Sequence, residues 1–289
     1  MFKIGVMTDE ISQDFELAMK VVTEYGLQTV EIRSVWSKPP QTLDDQDLAR
    51  IKAILAPTGV SVSCIASPFY KCNLDDEPAH QQHLEILRRC INLGQELGTN
   101  LVRGFTFWNT GRTDAVWDII LAKFEQPLAI LEASDAILAI ENEASCSVST
   151  AALLDRFLTE LNHPQLKAVW DPGNEVFADG GERPYPEAYE RVKRHMVHCH
   201  LKDAVRDPET GKAHCTRVGE GSVDYPGQLR ALLASDYQGS VSLETHWRPK
   251  QLTEDQINRP GGATFSESGE YASRVCLDSL LRMVREIAG

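Results

Sequence analysis

Three carboxylates and one imidazole stand near the ends of short apolar runs: Glu141 in ILAIENEAS, Asp171 in KAVWDPGN, His200 in MVHCHLKD and Glu244 in SVSLETHW. Buried together, three carboxylates raise one another's pKa and each loses its hydration, a cost that a bound cation removes. Three oxygen donors and one nitrogen, with room for water or substrate, suit Mn²⁺ or Mg²⁺ and tolerate Co²⁺ or Zn²⁺. A set of thiolate and imidazole donors would instead have indicated structural zinc. The expectation is one divalent metal, Mn²⁺ foremost, held by Glu141, Asp171, His200 and Glu244. Further polar groups follow each candidate: Glu143, Asn174, Lys202 and His246. His198, His200 and Lys202 share one face of their run, since alternate residues of a strand point the same way.

These side chains converge only if the runs carrying them are adjacent parallel strands. Apolar or β-branched runs recur eight times, near 3–8, 28–33, 60–66, 100–105, 137–143, 166–171, 196–202 and 239–244. Segments with helical spacing lie between them, as in Leu48, Ile51, Ile54 and Leu55, or Leu84, Leu87 and Ile91. Gly26, Gly59 and Gly98 each stand just before a strand, where helix C-terminal glycines belong. Strand–helix alternation repeated eight times, with no Gly-x-Gly-x-x-Gly after the first strand, favours a closed α/β barrel over a doubly wound sheet. The fold expected is a single (β/α)₈ TIM barrel over 1–289, since one such domain takes about 250 residues. The active site of such a barrel lies at the C-terminal strand ends, where the four candidates fall. The longest irregular stretch, about 247–267, is expected over the barrel mouth, and a last helix at about 268–287 closes the chain.

Composition narrows the partners. With 29 Lys and Arg against 42 Asp and Glu, the formal net charge of -13 opposes binding to nucleic acid or anionic membrane surfaces. No apolar run approaches the ~20 residues of a membrane span. The first residues, MFKIGVMTDE, lack a basic-then-apolar leader pattern, so a soluble, cytoplasmic protein is expected. Seven dispersed cysteines without a C-x-x-C pair fit reduced core thiols.

The motifs AIEN, WDPGN, HLKD and SLET, in that order on strands five to eight, resemble the xylose isomerase-like superfamily. More narrowly, they resemble the sugar phosphate isomerase/epimerase group, which includes ketose 3-epimerases, inosose dehydratases and hydroxypyruvate isomerases. The resemblance covers essentially the whole chain. It implies a catalytic metal on the four residues above, with Glu141 and Glu244 doubling as the acid/base pair on opposite faces of a sugar. It also implies that Arg206, six residues after His200, binds substrate and orients a carboxylate. Two departures stand out: Ser147 replaces a second Glu of the ketose 3-epimerases, and Asn174 replaces a His. Asn174 can hydrogen-bond a substrate hydroxyl but cannot serve as a general acid. An apurinic-site endonuclease of the same superfamily needs extra His ligands. SCIASPF and RGFTFW supply none, which excludes its trinuclear zinc cluster here.

The activity expected is isomerisation or epimerisation of a keto-sugar or polyol ketone, by proton abstraction next to a carbonyl through a metal-stabilised enediolate. The alternative is a dehydratase or lyase acting on a keto-sugar, inosose or keto-glycoside, with Lys202 or His246 protonating the leaving group. A non-catalytic sugar-binding barrel is a third class, disfavoured by paired carboxylates on a metal. Arg206, Asn174, His246 and Trp108 are the expected substrate contacts, and Trp36, Phe69 and Trp247 are further candidates for an apolar wall. His198 is expected as a core histidine beneath the site, and Glu143 as a surface carboxylate or a partner of neighbouring groups. Glu31, Arg33 and Arg103 fit either substrate orientation or ion pairing. Arg248, Arg259 and Gly261-Gly262 leave a phosphate contact open. A homodimer or tetramer, or a partner subunit, accords with the resemblance.

Overall fold

A computed structural model describes residues 1–288. Eight parallel strands close into a barrel: β1 (Lys3–Met7), β2 (Thr29–Ile32), β3 (Ser61–Phe69), β4 (Leu101–Gly104), β5 (Ile137–Glu141), β6 (Leu166–Trp170), β7 (Met196–Leu201) and β10 (Ser240–Leu243). All eight coincide with the runs read from sequence. Sequential neighbours pair around the ring, and β10 closes it onto β1 with Lys3 opposite Ser240 and Val6 opposite Leu243. An antiparallel hairpin, β8 (Asp203–Arg206) and β9 (Ala213–Thr216), is inserted after β7. Being parallel, the barrel strands deliver all their C-terminal residues to one rim.

Barrel strands are covered on both faces, so β2, β4 and β10 are buried at every residue. The helices outside bury one stripe each. In Phe15–Glu24 the buried residues are Phe15, Ala18, Met19, Val21 and Val22, the spacing of one helical face. Asp14, Asp76, Thr150 and Asp224 cap helix N-termini through their side chains. Gly98, with φ +78°, ends the helix Glu77–Leu97 in the left-handed conformation that glycine adopts at least cost.

The main core lies between strands and helices. A separate cluster of Cys64, Leu101, Ala139 and Val169 comes from four adjacent strands. Ala139 and Val169 each lie two residues before Glu141 and Asp171, hence on the same face, so this cluster fills the barrel beneath the candidate site. Six of the seven free cysteines are buried. The segment after β10 is less irregular than expected: Thr253 and Gln256 form a reciprocal capping box for the helix Glu254–Asn258, and a further turn spans Gly262–Phe265. Among the described residues, no helix is long and apolar enough to cross a membrane.

Candidate metal centre and active site

Each strand end prepares its polar residue through local chemistry. Asp171, following β6, caps the helix Pro172–Phe177: its Oδ1 accepts from Asn174 N at 2.9 Å, and Pro172 fits the first helical turn. A Cβ at Gly173 would collide with the Lys202 carbonyl oxygen, so only glycine lets this helix start against the end of β7. Asn174 then donates Nδ2 to Glu141 Oε1 at 3.0 Å. Asn142 bonds both main-chain groups of Asp171, accepting from its N at 2.9 Å and donating to its O at 2.8 Å. WDPGN and AIEN thus tie the ends of β5 and β6 together.

Glu141, Asp171, His200 and Glu244 come together as expected, each offering a ligand atom within 4.8 Å of the others, and all are buried. His200 Nδ1 lies 3.2 Å from Glu141 Oε1, 3.4 Å from Glu244 Oε2 and 3.8 Å from Asp171 Oδ2. Adjacent donors around an ion bound at about 2.1 Å are separated by about 3 Å or slightly more, and these spacings fit. Asp171 Oδ2 has no well-directed hydrogen bond, although Lys202 Nζ is 2.9 Å away. Lys202 is also 3.1 Å from Glu244 Oε2. Its chain is 2% exposed, so its ammonium is held among the ligand carboxylates.

Around this set lies an ion-pair network that sequence reading did not assemble. Arg33 reaches Asp9 at 3.0 Å, Glu10 at 2.9 Å and Glu244 at 2.6 Å. Arg103 pairs with Glu141 Oε2 at 3.1 Å. Arg248 turns inward to Glu10 at 3.1 Å, and His246 Nε2 lies 3.2 Å from the same carboxylate. Of the two roles open to Arg33 and Arg103, the structure displays ion pairing. The only signals for Asp9 and Glu10 were their place at the end of β1 and the polar TDE that follows an apolar run.

Charge counting defines what the site lacks. Asp9, Glu10, Glu31, Glu141, Asp171 and Glu244 are six buried carboxylates, facing the permanent cations Arg33, Arg103, Lys202 and Arg248. Two negative charges remain when the histidines are neutral, the deficit that one divalent cation cancels. Burial pushes Asp9 up to about 6, against the opposing pull of Arg33. It also raises Asp171 despite Lys202, with Glu141 and Glu244 adding repulsion. At Glu141 burial acts in the same sense, but His200 and Arg103 outweigh it and hold the carboxyl low. Burial of His200 is likewise overcome by Glu31, Glu141 and Glu244, which favour its protonated form. Desolvation keeps His246 below the usual imidazole range although Glu10 pulls the other way.

A cavity of about 480 Å³ lies over this rim, lined by Phe177, Trp247, Leu252 and Ile257 together with Arg206, His214 and His246. His246 Nδ1 is buried without a partner. Arg206 stands in the cavity wall, and its guanidinium donates to the carbonyl oxygens of Val176, Phe177, Ala178 and Gly211. It thereby braces the hairpin against the segment after β6 and makes no contact with the four-residue set. Trp108 stands farther out, bridged to Cys146, with Arg259 at 5.5 Å over its ring. Phe69 is a core residue stacked on Tyr70, and Trp36 packs against Phe15. Glu143 pairs with Lys71 at 3.0 Å.

The profile of the Xylose isomerase-like TIM barrel family matches residues 19–264. Inosose dehydratase from Histophilus somni (strain 129Pt) is 21% identical over 151 residues, 47% of this chain and 50% of that protein. The chain thus spans about half the length of this curated relative. Among solved structures, 3-keto-D-glucoside 4-epimerase from E. coli aligns with a TM-score of 0.68 at 15% identity, covering 99% of this chain and 100% of the other. A xylose isomerase-like TIM barrel protein from Mycobacterium smegmatis, in complex with magnesium, aligns at 0.65 and 18% identity, covering 92% and 89%. At such identities the structural likeness carries the fold and not the reaction.

Proposed function

The chain belongs to the xylose isomerase-like TIM barrel family, and on that premise we propose that it is a divalent-metal-dependent isomerase or epimerase of a keto-sugar or polyol ketone. The observation that carries this reading is the convergence of Glu141, Asp171, His200 and Glu244 in a buried setting where six carboxylates face four permanent cations. Names among its relatives, an inosose dehydratase and a keto-glucoside epimerase, accord with a ketone-bearing substrate.

A bound ion would supply Lewis-acid stabilisation to the oxyanion that develops as the substrate loses a proton beside its carbonyl. The chain's own residues do the rest. Glu141 is oriented by Arg103 and Asn174, and Glu244 by Arg33 and Lys202. With each held at both oxygens, the two carboxylates are rigid acid/base groups that can take a proton within about 3 Å and return it to the opposite face or the adjacent carbon. His246 lines the cavity, and its buried Nδ1 is left without a partner, which suits a substrate hydroxyl, while Trp247 and Phe177 offer apolar cover.

A second reading, dehydration, draws support from Lys202. Its ammonium sits inside the carboxylate set and can protonate a departing β-hydroxyl. Ketoses, inososes and keto-glycosides incubated in D₂O with Mn²⁺ separate these readings. Deuterium at the carbon beside the carbonyl, dependent on the ion, is the expected result. A product lighter by one water favours dehydration, and full turnover by metal-depleted protein overturns both.

A further inference from the structure

Glu31 lies on β2, across the barrel from β7, and is fully buried. Its two oxygens go to two histidines: Oε1 is 2.7 Å from His198 Nε2, and Oε2 is 3.4 Å from His200 Nε2. His198 and His200 point inward from alternate positions of β7, their rings edge to face at 5.4 Å. The opposite nitrogen of His200, Nδ1, is the one that faces Glu141, Asp171 and Glu244. A carboxylate behind a ligating imidazole fixes which nitrogen keeps its proton and how the ring is turned.

We propose that Glu31, anchored by His198, is a positioning residue that commits Nε2 of His200 to a proton and thereby presents Nδ1 as the metal-binding atom. This rests on the metal reading above. Glu31, His198 and His200 also form a compact donor group of their own. The 2.7 Å separation of Glu31 and His198 is that of a direct hydrogen bond, shorter than the spacing of about 3 Å between donors around an ion, so the three act as support for the upper site.

Glu31→Gln keeps the volume but offers one acceptor where two imidazole N–H groups converge. Titration calorimetry is expected to give one Mn²⁺ per wild-type chain and binding about 10- to 100-fold weaker in E31Q. Long-range ¹H–¹⁵N spectra of the Mg²⁺-loaded wild type should show His200 protonated at Nε2 only. In metal-free protein the buried Nε2 proton of His200 should be observable, and its resonance should shift in E31Q. Wild-type affinity in E31Q, a proton on Nδ1 in the loaded wild type, or a second ion lost on substitution overturns the proposal. Should E31Q not fold, the wild-type spectrum still decides. A wild type that binds no ion overturns the metal reading and with it the metal-binding role of Nδ1, while the metal-free spectra still report separately whether Glu31 fixes the Nε2 proton.

Discussion

Asp171 shows how a ligand side chain can oppose the stability of the fold that presents it. Oδ1 is committed to Asn174 N, and Oδ2 faces Lys202, His200 and two other carboxylates. Burial, the largest influence, raises its pKa, so without an ion the ionised form is unfavourable. Asp171→Asn relieves this, and in EDTA at pH 8 the variant should melt no lower than the wild type. With Mn²⁺ the wild type should gain stability while D171N does not, its affinity having fallen more than about a hundredfold. A D171N protein several degrees less stable in EDTA would show that the Lys202 pair outweighs the repulsion. The four candidate ligands were legible because each ends an apolar run and strand ends are where barrel chemistry lies. Arg33 was legible only as a polar residue at a strand end. Its partner Glu244 is 211 positions away, and Glu10 and Asp9 lie on another strand end, so no local pattern joins them.

Elements are held where the site needs them by contacts at their ends, and two of these make clear predictions. Replacing Gly173 by alanine drives a methyl group into the Lys202 carbonyl oxygen and pushes the helix Pro172–Phe177 off β7. Destabilisation of about 1–3 kcal/mol is expected, with weaker ion binding since Asp171 and Lys202 flank the collision. Unchanged melting and unchanged Mn²⁺ affinity would refute the packing argument. At the other side, His83 on Glu77–Leu97 accepts the Tyr70 main-chain N–H at 2.8 Å, fixing the turn after β3. Burial, then repulsion from His80, lowers His83 to about 4. The unfolded chain therefore binds the proton more readily than the folded one between about pH 6.5 and 4. The stabilising contribution, up to about 3 kcal/mol, is present above 6.5 and is lost as pH falls through 4. His83→Asn keeps an acceptor but cannot titrate, and should flatten the fall in melting temperature across that window. An identical pH profile would exclude His83 as the cause. The period of strands and helices was readable because hydrophobic spacing decides burial. The hairpin β8–β9 was not, because it rests on Asp203 accepting the main-chain N–H groups of Gly219, Gly221 and Val223, a contact no periodicity announces.

For the molecule as a whole, the difficulty is access. None of the four candidate ligands exceeds 2% exposure, yet the substrate proposed above would have to reach them. The segment between β10 and the helix Gly269–Ala288 lies over the rim and walls the cavity with Trp247, Leu252 and Ile257. Besides Arg248 on Glu10, a half-buried cation fastens it: Lys71, just beyond β3, donates to Asn258 O at 2.8 Å and to Glu143 Oε2 at 3.0 Å, with its ammonium 4.3 Å over the Phe105 ring. The sequence indicated a cover over the mouth but not its fastening, since Lys71, Glu143 and Asn258 belong to three segments far apart in the chain. If this contact holds the cover down, Lys71→Met should loosen it without touching the four ligands. Mn²⁺ would then be stripped by EDTA several-fold faster from K71M than from the wild type, while equilibrium affinity changes much less. The reason is that an opening step speeds release and uptake together. Stopped-flow chelation reads this directly, and equal rates would mean that the cover opens about some other contact, with Lys71 serving only to neutralise Glu143.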